Sequence, residues 1–214
     1  LNLDAVPVTD ASIVHFERLN SLKSLAISKT SITAEGAARL RAKLPGCHIG
    51  HSTKPGTPPN DPPATGLPAN GLPAQDSARA RRVAERIISL GGDVKVVEPG
   101  GVEKDVKGVA DLPAGDFDIV RIHLHDNAEV VDSDLQPFST LRTLQSIHLQ
   151  SVPIDGSGLV HLRDLPELRF LALHTCPLND SGLAQLNGLK NLTELVIPFS
   201  KVTDAGLVNL RNFP

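Results

Sequence analysis

The sequence predicts an α/β solenoid in two segments, with one short strand and one short helix in each turn. Three observations predict it. Between Leu159 and Leu207 the chain repeats every 24 residues, as GLVHLRDLPELRFLALHTCPLND, GLAQLNGLKNLTELVIPFSKVTD and the opening of a further copy, GLVNLRNFP. Within that stretch leucines fall at every third residue, through Leu183, Leu186, Leu189, Leu192 and Leu195, and then give way to alternation, Leu195-x-Ile197. The alternating motif appears six times, as Leu1-x-Leu3, Leu25-x-Ile27, Ile122-x-Leu124, Ile147-x-Leu149, Leu171-x-Leu173 and Leu195-x-Ile197. Self-similarity at a fixed period marks stacked units that cannot bury their apolar faces alone. Alternation within each motif turns both apolar residues inward and the residue between them outward.

The first set of strands lies in residues 1–50, read as the C-terminal end of a first array. Thr9-Asp10 and Thr33 carry side-chain oxygens suited to the orphan amides of a helix start. Pro45 and Gly46 break the helix that precedes them, and Cys47-His48-Ile49 supplies a last strand. Residues 51–75 are rich in proline and glycine and lose the apolar periodicity. Too few large apolar groups remain there to offset the entropy of ordering, so a flexible, partly extended linker is expected. A polyproline ligand is the alternative, but Pro55, Pro58 and Pro59 have no basic support beyond Lys54.

Residues 76–110 read as a capping helix and hairpin. Ala80, Val83, Ala84, Ile87 and Ile88 make an amphipathic stripe, with Asp76 or Ser77 as cap and Gly91-Gly92 as stop. Val94 and Val96 alternate, Pro99-Gly100-Gly101 turns the chain, and Val106 and Val109 suggest the returning strand. Such a unit would cover the apolar cross-section that a first turn exposes. Arg79, Arg81, Arg82 and Arg86 fall mainly on the polar side of the helix, as a solvated face or a phosphate-binding patch. Residues 111–214 are the second array, truncated at its end. Its helix starts are Asn179-Asp180 and Thr203-Asp204, and Leu207 and Leu210 are expected to pack onto the strands. A start at Leu1 within a strand pattern and an end at Pro214 within a repeat suggest a fragment of a longer protein.

The 214 residues carry a net charge of -3 and 40% apolar content, which suits one or two globular units. The near-neutral balance gives no reason to expect a nucleic-acid or anionic-membrane partner, and no apolar run is long enough to span a bilayer. Localisation is unassigned, with the cytoplasm slightly favoured. Cys47 and Cys176 match no metal-ligand spacing and read as buried free thiols.

The repeats resemble the leucine-rich-repeat family in its bacterial, ribonuclease-inhibitor-like versions. The matching stretches are Leu168-Arg-Phe-Leu171-Ala-Leu173-His-Thr-Cys176 and Leu22-Lys-Ser-Leu25-Ala-Ile27-Ser-Lys-Thr30, with Thr-Asp-x-Gly-Leu helix starts, over about 150 residues. Val6 and Val152 depart from the polar or thiol residue usual at the ninth position. The resemblance implies a right-handed solenoid, with parallel strands on the concave side, short helices on the convex side, and binding on the concave side. It names no partner.

Outward positions of the second array can be read from spacing as three columns: Arg121, Ser146, Phe170, Glu194; His123, His148, Ala172, Val196; and His125, Gln150, His174, Pro198. Four of the eight histidines share that patch. Rungs about 4.8 Å apart would let His123 and His148 approach, and neutral imidazoles with His125 and Asp126 could hold zinc or a similar metal. The plainer reading is a polar interface face, with no metal and no cofactor. No GxSxG, HExxH or GxxxxGK motif is present. Asp132, Asp134, Asp155, Asp180 and Asp204 recur at the repeat period, which points to caps and turns, and no catalytic residue is assigned.

The expected function is therefore a non-enzymatic scaffold that binds a protein partner. The contact residues are Arg121, His123, His125, His148, Phe170, His174, Glu194 and Phe199, with the two phenylalanines as exposed aromatic anchors. The alternatives are a regulatory or sensory segment of a larger enzyme with its catalytic domain elsewhere, and a metal site at the histidines.

Overall fold

The computed structural model describes residues 1–19, 21–50 and 74–212. The expected linker lies outside the described residues for nearly all its length, and nothing structural attaches to it. The described chain is a mixed α/β structure with a six-stranded sheet, short helices and no closed barrel. Four strands carry the alternating motif and run parallel: β5 (Asp118–His125), β6 (Ser146–Gln150), β7 (Phe170–His174) and β8 (Glu194–Val196). A hairpin of β3 (Asp93–Glu98) and β4 (Val102–Val106) is added antiparallel on the β5 side, giving the order β4-β3-β5-β6-β7-β8.

The alternation decides which face is core. Ile122, Leu124, Ile147, Leu149, Leu171, Leu173, Leu195 and Ile197 are all buried, in one continuous cluster with the leucines of the connecting turns. Those connections are mostly 3₁₀ turns rather than α-helices, at Asp132–Thr140, Ser157–Leu162 and Gly206–Asn212; α4 (Asp180–Gln185) is a short α-helix. A 3₁₀ turn has about three residues per turn, so side chains three apart eclipse. Leucine at every third residue therefore stays on one side, and Leu159, Leu162, Leu165 and Leu168 are all buried.

The helix and hairpin expected in residues 76–110 are present with adjusted edges. Helix α3 (Ala74–Ser89) begins before Asp76 and Ser77, so the expected caps lie inside its first turn. Ala80, Val83, Ala84 and Ile87 are buried as the stripe requires, and Ile88 is partly buried. Val106 closes the returning strand, but Val109 belongs to a 3₁₀ turn and is 49% exposed. Cys176 is buried as expected; Cys47 is only half-buried.

Residues 1–50 join the strands of residues 118–196. They contain α1 (Ile13–Phe16), β1 (Ser24–Ala26), α2 (Ala34–Lys43) and β2 (His48–Gly50), with β1 and β2 parallel. Asn2 bridges to Val196 on one side and Ala26 on the other, both in the parallel sense. Asn2 N–H donates to Leu195 O at 2.9 Å, and Ile197 N–H to Asn2 O at 3.0 Å. The N-terminal segment thus continues the strand series beyond β8, and its apolar residues join the same core.

Two ladders run across these units. The second residue after each strand motif takes a left-handed conformation without being glycine: Asp126, Ser151, Thr175, Phe199, Ala5 and Lys29, with φ from 51° to 59°. That conformation is costly for an L-residue. Here the amides of five of them reach the next unit: Asp126 N–H donates to Gln150 O, Ser151 to His174 O, Thr175 to Pro198 O, Phe199 to Asp4 O, and Ala5 to Ser28 O. The second ladder is carboxylate. Asp132 accepts from the amides of Asp155, Gly156 and Gly158. Asp180 accepts from Thr203, Asp204 from Thr9, and Asp10 from Thr33, each through both amide and hydroxyl. These aspartates, read from sequence as caps and turns, clamp the start of the following unit.

Candidate functional site

The face of the sheet opposite the core carries the three expected columns in register as far as Val196; Pro198, expected to follow His174, lies beyond the end of β8 and is buried. Arg121, Ser146, Phe170 and Glu194 are successive Cα partners, as are His123, His148, Ala172 and Val196, and His125 pairs with Gln150 and then His174. Period-two alternation on strands one rung apart suffices to assemble them.

Rings on this face form a chain. His125 and His123 lie 5.1 Å apart between centroids, His123 and His148 5.7 Å, and His148 stacks on Phe170 at 4.5 Å and 21°. Phe170 lies at the closed end of that chain. It is 0% exposed and packs with buried Ala172 and Val196 in a small apolar cluster of its own. The sequence reading of Phe170 as an exposed anchor is therefore corrected: periodicity assigned its face, but lateral packing with its neighbours removes it from solvent. Phe199 is 53% exposed and remains available. It sits in the row of left-handed residues at the rim, where the strands end.

Partners from the hairpin complete the face. His123 Nδ1 lies 3.3 Å from Asp93 Oδ2. The hydrogen bond with His123 holds the Asp93 carboxyl below its usual range, against partial burial. Arg121 donates to Asp105 at 2.5 Å, leaving its side chain 19% exposed. His148 Nε2 lies 2.8 Å from Ser146 Oγ. His125 Nδ1 is 3.5 Å from Asp126 Oδ2, and both side chains are well exposed. Burial lowers the His174 imidazole below its usual value and raises the Glu194 carboxyl above its own. Asp93 and Asp105 escaped the sequence reading because nothing in the spacing joins the hairpin to β5 at a particular register.

Metal ligation gains no support from this arrangement. Among the described residues, no group of three or more His, Cys, Asp or Glu side chains is arranged to hold a metal ion. His123 and His148 each have one ring nitrogen directed at a neighbour, Asp93 and Ser146. The arginines of α3 are also partly engaged: Arg81 donates to the Pro113 and Gly115 carbonyls and lies over the Phe117 ring, and Arg86 pairs with Asp134. Among the described residues, no helix is long and apolar enough to cross a membrane. Comparison with protein-family models returns no match for this chain, and neither does comparison with curated proteins.

Proposed function

We propose that this chain is a leucine-rich-repeat module that binds a protein partner without chemistry of its own. The partner seats on the β5–β6 part of that sheet face, around Arg121, His123, His125 and His148, and on the rim where β5–β8 end. The observation that carries the reading is the rim. Each unit fixes one residue in the left-handed conformation, at an energetic cost, and aims a row of side chains in a set geometry. His125, Asp126, Ser151, Thr175 and Phe199 in that region are all exposed. Presented rows of this kind suit an extended macromolecular contact rather than a small ligand. Phe199 is the aromatic anchor, with His123 and His125 beside Arg121 as the polar part; His148, His174 and Glu194 border the closed apolar cluster with Phe170.

The test uses immobilised chain and a source of binding proteins. The His125→Ala/Phe199→Ala double variant should bind the captured protein at least about tenfold more weakly, since losing an aromatic anchor commonly costs more than 1.4 kcal/mol. Arg142→Ala, in the turn that leads into β6 at the opposite end of the strand from the rim, should bind as the parent does. Equal capture by both variants, or loss only with Arg142→Ala, would sink the proposal.

A further inference from the structure

The contact between β8 and residues 1–50 has the same chemistry as the contacts between units that follow each other in sequence. Asp204 takes the Thr9 amide at 2.8 Å and its hydroxyl at 2.6 Å. Asp180 takes those of Thr203 at 2.7 and 2.7 Å, and Asp10 those of Thr33 at 2.8 and 2.6 Å. The rim ladder crosses the same seam, from Phe199 N–H to Asp4 O at 3.0 Å. Buried Ser12 adds a hydroxyl donated to Asp204. Yet the two sides are 195 residues apart in sequence at Thr9 and Asp204. Inside an array the next unit is delivered by the chain itself. Here it is delivered through residues 51–73 and held by these contacts.

We propose that the seam also forms between copies: residues 1–50 of one chain dock against β8 and the Gly206–Asn212 turn of a second, giving a reciprocally exchanged dimer. The occupant is a second copy because it alone presents every donor, acceptor and apolar residue that the surface already matches. Exchange of an identical element costs little, since the dimer regains each contact the monomer gives up. The covalent connection permits it: a stretch of 23 residues reaches at most roughly 80 Å. The seam is not completely filled. A cavity of about 50 Å³ lies in it, lined by Leu19, Leu22, Leu192, Leu195 and Leu210.

Effective concentrations within one chain are in the millimolar range for short tethers, so exchange should be rare in dilute protein. The first measurement is native mass spectrometry on parent chain refolded from denaturant. Dimer should be of order 1% at ~10 µM and several tens of per cent at ~1 mM. Monomer alone at both concentrations overturns the proposal. The second measurement uses two defective chains. Ser12→Glu sets a carboxylate against Asp204 and disables the docking segment; Asp204→Lys disables the receiving surface. Mixing them joins the intact segment of the second to the intact surface of the first. A 1:1 heterodimer at ~100 µM, with each variant alone monomeric, supports exchange. A mixture that stays monomeric, with amides of Asn2 and Phe199 exchanging rapidly and those of β5–β7 still protected, rejects it. Should either variant keep the seam closed in its own chain, the refolding series on the parent chain decides alone.

Discussion

Two side chains tie the open face to pH, with different windows. Asp93 has its carboxyl lowered from 3.8, first by the hydrogen bond with His123. A carboxyl that is more acidic in the folded state contributes stability above the unfolded value, and loses it as pH falls through the folded one. Asp93→Asn should therefore be less stable than the parent at pH 6, and the gap should close as pH drops below about 3.8. Urea midpoints at pH 6, 4 and 3 measure this; a gap that stays constant would mean the His123 contact does not form. His174 is shifted down from 6.5 by burial alone. Above that value both states are neutral and nothing is lost. Below it the unfolded chain takes the proton first, so stability falls with pH until the folded-state value is passed. His174→Gln should flatten that part of the stability curve between pH 7 and pH 5. An unchanged slope would mean that His174 is solvated in the folded chain.

At the scale of elements, the left-handed rim residues offer a sharper test than the strands. Ser151 is exposed, with φ of 52°, and its amide donates to His174 O at 2.8 Å. A β-branched side chain resists that conformation, so Ser151→Val should cost about 1–2 kcal/mol. Ser151→Gly exchanges relief of strain for greater freedom of the unfolded chain and should fall within about 0.5 kcal/mol of the parent. Chemical denaturation separates the two, and equal effects would deny that the backbone is constrained there. The strands, their inward residues and the three outward columns were legible in the sequence because periods of two and 24 leave one register that buries all the leucines. The rim conformation was not legible. Its residues, Asp126, Ser151, Thr175, Phe199, Ala5 and Lys29, share no chemistry, and in the first five a ladder bond to the next unit accompanies that backbone. Phe170 was legible as to face but not exposure, because burial on that face depends on His148 and on Ala172 and Val196 beside it. The helices were half-legible: leucine at every third residue was read as part of a repeat, while that spacing favours 3₁₀ turns over α-helix.

For the whole molecule, the order of units in space differs from their order in sequence, and this can be exploited. In space the series runs β5, β6, β7, β8, the Leu1–Leu3 motif, β1, β2. A permuted chain that begins at residue 74, runs to Pro214, passes through a short link to Leu1 and ends at Gly50 would make the two orders agree. The link is fixed by the period: about four residues place Leu1 24 positions after Leu195. The period also specifies one of those residues. Leu22, Leu144, Leu168 and Leu192 each stand three positions before a strand motif, and the second link residue takes that position before Leu1. The cavity in the seam is lined by Leu22 and Leu192, so the second link residue falls where a buried leucine is lacking. The permuted chain should fold cooperatively, with a midpoint at or above that of the parent, because a consecutive connection replaces a long one. A link of Ser-Leu-Ser-Ser should be more stable than Ser-Ala-Ser-Ser by about 2 kcal/mol, the cost of removing a buried leucine at the low end of its range. Thermal and urea denaturation of both permuted chains give the comparison. If both fold but the leucine contributes nothing, the seam is in place with its cavity filled by other side chains. If neither folds while the parent does, residues 1–50 are not the continuation of β8.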